Sequence, residues 1–329
     1  MQETMIKVSG LSRTFGTFQA LDGIDFSVQR GEVMGFLGPN GAGKTTTMRI
    51  LTGLLSPTEG AVSVGGFDLL SEPEEARAIT GFLPENPPIY DEMTVREYLI
   101  YLATLRRVEK GALEQAVNRA LSRCGLVDVA DRLLSNLSKG YRQRAGIAQA
   151  IVHSPKVLIL DEPTVGLDPI QIREIRSLIR ELAEEHSVLL STHILPEIRM
   201  TCDRVTVISN GRIVAEDTIE GLEQRAHAGQ AMRIVLAEPP SAETLESIAG
   251  VQSVSEQDGA LFVTAEADED PITEIVKQSV EKGWNLREMT PMGQSLEEIF
   301  VQLAGSDPLE RSEENSEEGA EENGKGGAA

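Results

Sequence analysis

Gly38-Pro39-Asn40-Gly41-Ala42-Gly43-Lys44-Thr45-Thr46 is a glycine-rich turn that closes on a lysine and two hydroxyl residues. The spacing GxxxxGK[ST] lets successive backbone N–H groups and the lysine cradle nucleotide phosphates, while the hydroxyl, here Thr45, binds Mg²⁺. The apolar run Gly31-Glu32-Val33-Met34-Gly35-Phe36-Leu37 feeds directly into the loop and reads as a strand. Residues 45–52 read as a helix stopped by Gly53. Strand, loop and helix in this order make a phosphate site, because the helix N-terminus adds its dipole to the cradle.

A second apolar run, Val157-Leu158-Ile159-Leu160, ends in Asp161-Glu162-Pro163. In a nucleotide site, Asp161 joins the Mg²⁺ shell and Glu162 polarises the attacking water. Neighbouring side chains on a strand point to opposite faces, but at the strand's end both can reach one metal centre. Val188-Leu189-Leu190-Ser191 is a third short run of the same kind, and such runs suit parallel strands covered on both faces. Residues 170–185 supply the crossover helix between them. Residues 5–36 alternate as strands do. Residues 92–134 carry Val95, Leu99, Leu102 and Leu105, then Ala116, Ala120 and Leu121, at helical spacing. Residues 1–219 are therefore expected to form an α/β P-loop NTPase domain, with a helical subdomain at about 86–150.

Past residue 220 the pattern changes. Strands are expected at 231–237, 251–255, 260–266 and 285–289, the middle pair around Gln257-Asp258-Gly259, with helices at 242–249 and 272–282. The order βαββαβ predicts a small α+β, ferredoxin-like domain over 220–305. Ser295 and Glu298 fit a capping box for a last helix through Leu303. Residues 306–329 hold eight acids and two bases with almost nothing to bury, the composition of a disordered acidic tail.

Net charge is −22, concentrated in the C-terminal third: residues 220–305 hold sixteen acids and five bases. A binder of phosphate backbones needs a basic face, so nucleic acid is not an expected partner. Cys124 and Cys202 are too few and too far apart for a disulfide framework or a zinc site. The start of the chain lacks a signal-peptide pattern, and no apolar run reaches the length of a membrane span. The expected location is cytoplasmic.

Together these motifs resemble the ATP-binding subunit of an ABC transporter over roughly residues 5–219. Leu137-Ser138-Lys139-Gly140-Tyr141 looks like that family's LSGGQ signature, with Lys139 and Tyr141 departing from it. The resemblance implies that Ser138 and Gly140 touch the γ-phosphate of ATP held by the other protomer of a head-to-tail homodimer. It implies that Gly166-Leu167-Asp168-Pro169 links the two sites and that His193 contacts γ-phosphate as the switch histidine. It also sets Phe15 against adenine, with Phe18 as the rival position. Gly81-Phe82-Leu83-Pro84-Glu85-Asn86 resembles the family's Q-loop, with Glu85 where glutamine is usual, so that a carboxylate would meet Mg²⁺ and couple the site to a membrane partner. Gly293-Gln294-Ser295-Leu296-Glu297-Glu298-Ile299-Phe300 is similar to the extension of the gliding-motility-type and ABC-2-type exporter branch. The implied protein is an Mg²⁺-dependent ATPase that drives an integral membrane permease from the inner face of the cell membrane. The alternative is a soluble ABC-type ATPase acting on nucleic acid or ribosomes; import in place of export also stays open.

Overall fold

The computed structural model of the protein describes residues 3–221, 231–257, 260–265 and 271–292. The chain falls into two compact units, with Met1–Ile219 in one and Glu220–Gly305 in the other. In the first, β1 (Thr4–Phe15), β2 (Phe18–Gln29) and β3 (Val33–Leu37) lead into α1 (Lys44–Leu51). Then come β4 (Glu59–Val64), β5 (Phe67–Asp68), α2 (Pro73–Ala78) and β6 (Thr80–Leu83). Helices α3 (Val95–Leu105), α4 (Leu113–Arg123) and α5 (Lys139–Ile151) follow before β7 (Val157–Asp161). The unit closes with α6 (Pro169–Ala183), β8 (Ser187–Thr192), α7 (Leu195–Thr201), β9 (Arg204–Ser209) and β10 (Arg212–Thr218).

Two sheets result. One has the order β10-β9-β3-β8-β7-β6, parallel except for the β9–β10 hairpin. Every residue of β3, β7 and β8 is buried, which is why these strands read as unbroken apolar runs. The other sheet, β2-β1-β4-β5, is antiparallel; the alternation over residues 5–36 covers β1 and β2, and β4 and β5 add two strands that the sequence reading lacks. Both share one core: Ile6, Val8 and Leu11 of β1 join Met34 and Phe36 of β3, Met48 and Leu51 of α1, and Ile159 and Leu189. The phosphate loop thus hangs from a strand buried along its whole length.

The expected insert at 92–134 is two helices. α3 ends before Arg107, whose φ of 59° turns the chain out of the helix.

In the second unit β11 (Ala231–Leu236), β12 (Val251–Gln257), β13 (Ala260–Ala265) and β14 (Leu286–Met292) pair antiparallel in the order β12-β13-β11-β14. Helices Ala242–Glu246 and Ile272–Glu281 complete the βαββαβ order of a ferredoxin-like sheet. Ile234, Leu245, Val263, Ile275 and Trp284 fill its core. The capping box at Ser295 and Glu298 and the acidic tail lie outside the described residues, as do Asp258 and Gly259.

Candidate functional site

The loop from Gly38 to Gly43 is shaped by close packing. Gly43 has φ 111°, and a Cβ there would stand 2.7 Å from Leu21 Cδ2 and 2.9 Å from the Ala20 carbonyl oxygen. Gly41 has φ 82°, and Gly38 lies against Ile208. At Gly38 and Gly43 no other residue type fits without moving the backbone of its neighbours, while at Gly41 the positive φ alone favours glycine. The helix it opens, α1, has no side-chain cap and no acid in its first turn. Its leading N–H groups and positive end are therefore free to meet an anion.

Lys44 is buried. Its Nζ donates to the carbonyls of Gly38 at 2.7 Å and Pro39 at 3.1 Å, and lies 3.4 Å from Glu162 Oε1. The other oxygen, Glu162 Oε2, is 2.9 Å from His193 Nδ1. One carboxylate therefore joins the loop lysine to the histidine 31 residues further on.

The strand β7 ends at Asp161, so that Glu162 lines the nucleotide cleft while Asp161 stays buried against Thr45 and Ser191. Glu162 has φ 49°, a left-handed conformation unusual for a residue with a side chain. The Glu162 N–H anchors the turn on the Ser191 carbonyl oxygen and Ser191 Oγ, each at 3.1 Å. Ser191 Oγ in turn donates to Asp161. Burial pushes the Asp161 carboxyl above the usual carboxylate range, and the charges of Glu162 and Glu85 push the same way. Hydrogen bonds from Ser191 and Thr45 oppose the shift.

Asn40, Lys44, Thr45, Thr46, Glu85, Glu162 and His193 line a cleft of about 330 Å³. Thr45, Asp161 and Glu85 offer a hydroxyl and two carboxylates, an all-oxygen set that suits Mg²⁺. Among the described residues no cluster of three or more His, Cys, Asp or Glu forms a metal cage. That fits Mg²⁺ too, which takes one or two carboxylates and fills its octahedron with phosphate oxygens and water.

The aromatic wall of the cleft is Phe18. Phe15 is paired with Phe18 across the β1–β2 hairpin, and its ring lies 4.5 Å from the Arg13 guanidinium carbon. Opposed residues of a strand pair share a face, so both rings stand on the same side of the hairpin, and both are exposed. Sequence periodicity could not choose between them.

Ser138 and Gly140 stand elsewhere. Ser138 is the N-cap of α5, its side chain accepting the Tyr141 N–H, and both residues line a separate cleft of about 390 Å³ with Tyr141, Asp168 and Gln171. Asp168 caps α6 through the N–H groups of Ile170 and Gln171, each at 2.9 Å. The Lys139 side chain reaches across Gly166 of the same loop. Within one chain, then, the signature residues and the phosphate loop belong to two different clefts. Sequence reasoning missed Glu197, a buried carboxylate behind the cleft, because an acid on a short helix looks solvent-exposed.

A P-loop at the end of a buried parallel strand, with an Asp-Glu pair at the end of a second strand and a histidine just past a third, defines a nucleoside-triphosphate hydrolase site. The ABC transporter family model matches residues 21–165. The chain is 38% identical to the uncharacterized ABC transporter ATP-binding protein YdbJ of Bacillus subtilis, over 92% of this chain and 96% of that one. It is 35% identical to the bacitracin transport ATP-binding protein BcrA of Bacillus licheniformis, over 92% of this chain and 98% of the relative. Among solved structures, cbiO1 from Clostridium perfringens, part of an ABC transporter complex, superposes with a TM-score of 0.63 at 29% identity, covering 68% of this chain and 92% of that one. The protein belongs to the ATP-binding proteins of ABC transporters and is an ATP-hydrolysing subunit.

Proposed function

We propose that two copies pair head to tail, closing two ATP molecules between the phosphate loop of one and Ser138 and Gly140 of the other, and that hydrolysis reopens the pair. The observation that carries this reading is the Glu162 carboxylate, 2.9 Å from His193 and 3.4 Å from Lys44, beside a cleft that lacks its own signature residues. Loop amides from Gly38 to Gly43 and Lys44 hold the β- and γ-phosphates, with Thr46 at the start of α1 beside them. Phe15 or Phe18 stacks on the base. Glu162 takes a proton from water as its oxygen bonds to the γ-phosphorus and the bond to the β-phosphate oxygen breaks, giving ADP and phosphate. His193, oriented by Glu162, faces the transferred group. Mg²⁺, held by Thr45, Asp161 and Glu85 with phosphate oxygens, supplies charge neutralisation when bound.

The partner is an integral membrane permease, which chooses the substrate and receives the motion through the segment around Glu85 and the helices α3 and α4. No helix among the described residues is long and apolar enough to cross a membrane. The proposed place is the inner face of the cell membrane. Similarity to the bacitracin transport protein over nine-tenths of the chain supports a transporter subunit, which we place in the ABC-2-type exporter branch, over a soluble ATPase acting on nucleic acid or ribosomes.

One preparation tests the reading: tagged Glu162→Gln chain purified with MgATP from gently solubilised membranes. It is expected to bring down a polytopic membrane subunit, to carry ATP, and to release phosphate at least ~100-fold more slowly than the parent. Hydrolysis at the parent rate would remove Glu162 as the base. Recovery only with ribosomes or DNA-bound proteins would replace the permease by the alternative.

A further inference from the structure

Glu197 lies on α7, four residues beyond His193, and is 1% exposed. A carboxylate taken out of water persists only where donors surround it. Thr164 Oγ1 and Thr192 Oγ1 both donate to it, the latter at 2.7 Å, and Arg176 Nη2 of α6 stands 3.8 Å away.

The partners matter for where they sit in the chain. Thr164 is two residues past Glu162. Thr192 immediately precedes His193, and its Oγ1 also accepts the Ile194 N–H at 3.1 Å. Glu197, Thr192 and Ile194 therefore hold the histidine's backbone on both sides, while Thr164 holds the turn that presents Glu162. The two turns face each other across the 2.9 Å contact between Glu162 and His193.

We propose that Glu197 is a positioning residue for ATP hydrolysis: its two oxygens tie the base-bearing turn to the histidine-bearing turn and so fix how Glu162 and His193 meet. This rests on the reading of those two residues as the hydrolytic pair. Glu197 acts through the threonines and not on the phosphate. Replacing it by glutamine keeps the volume but puts an NH₂ group opposite one of two hydroxyls that now donate. The turns then drift, and sub-ångström displacement in a reacting pair is enough to slow chemistry while leaving ground-state binding intact.

A purely structural carboxylate would behave differently. Its loss would lower the melting temperature, and turnover would fall whether or not His193 were present. The test measures steady-state hydrolysis, binding of a fluorescent ATP analogue and thermal melting for Glu197→Gln, His193→Ala and the double variant in the full chain. Thr192→Val, which at constant shape removes one of the two threonine hydrogen bonds to Glu197 together with the acceptor for the Ile194 N–H, is measured beside them.

We expect Glu197→Gln to lower kcat by about 10-fold or more with analogue affinity within about 2-fold of the parent. In the His193→Ala background the same substitution is expected to change kcat by less than about 2-fold, because neighbours acting as one unit are not additive. Thr192→Val should reproduce the loss in kcat. Parent-like turnover of Glu197→Gln, an undiminished effect without His193, or parent-like turnover of Thr192→Val should Glu197→Gln fail to fold, would each overturn the inference. If His193→Ala itself hydrolyses ATP at the parent rate, the hydrolytic pair fails and this inference fails with it. A slow His193→Ala beside a normal Glu197→Gln leaves the pair standing and overturns only the role of Glu197.

Discussion

Asp161 carries a cost in the nucleotide-free protein that its proposed role in holding Mg²⁺ would require. Its carboxyl is 1% exposed, and burial first, then the charges of Glu162 and Glu85, raise it above the ordinary carboxylate range. The unfolded chain titrates in the ordinary range, so between the two values the native state holds a proton that the unfolded state has lost. Stability therefore falls as pH rises through that window, and above it the folded protein carries the penalty of a buried anion. Asp161→Asn keeps an acceptor for Ser191 and Thr45 and removes the charge. It is expected to raise the melting temperature of the nucleotide-free protein at pH 7 by about 2–4 °C, the equivalent of about 1 kcal/mol in a unit of this size, and to abolish hydrolysis. Melting curves from pH 4 to 8 would show the variant's advantage shrinking toward acid. A variant that melts lower than the parent at pH 7 would mean that the hydrogen bonds, not the charge, dominate at this position.

Two helix starts separate capping from chemistry. Thr94 opens α3 with a full capping box: its side chain accepts the Glu97 N–H, and Glu97 Oε2 accepts the Thr94 N–H at 2.8 Å. Ser138 opens α5 with one long bond to the Tyr141 N–H, 3.4 Å. Thr94→Ala is expected to cost about 1 kcal/mol of stability and to leave ATP turnover unchanged. Ser138→Ala should cost less stability and yet reduce turnover by at least ~10-fold, the loss expected of a missing hydrogen bond to transferring phosphate. Denaturant melts and phosphate release on both variants check this; equal stability losses with normal turnover in each would make Ser138 a cap and nothing more. The same contrast marks what the sequence made legible. β7 and β8 are legible because strands buried on both faces are bare apolar runs, α1 because a glycine loop announces it, and α6 because two parallel strands need a crossover helix between them. Strands β4 and β5 are not, since the first half of Glu59–Val64 is exposed and the segment becomes a strand by pairing with β1 far away in sequence. Likewise Glu162 and His193 could be named one by one, but their contact comes from the parallel register of β7 on β8, which periodicity does not report.

At the scale of the molecule the two units each bury their own apolar surface. Among the described residues, the first unit's main core draws on Met5 to Ile208, and the second's on Met232 to Trp284 with Leu286 and Met289 packed against it. A core of that kind can sustain a fold by itself. All the residues assigned to the nucleotide, from Phe15 to His193, precede Ile219, the last residue of the first unit's N-terminal stretch. A chain ending at Ile219 is therefore expected to fold, to bind MgATP and to hydrolyse it within about 3-fold of the parent, since each unit has a core of its own. Calorimetry of the full chain should resolve two transitions. MgATP at about 100 times its dissociation constant should stabilise only one of them, by about 2.7 kcal/mol, and the shortened chain should retain that one. If MgATP instead moves both transitions together, or the shortened chain loses nucleotide binding, the second unit contributes to the nucleotide site and the acid-rich segment from residue 220 onward belongs in the mechanism.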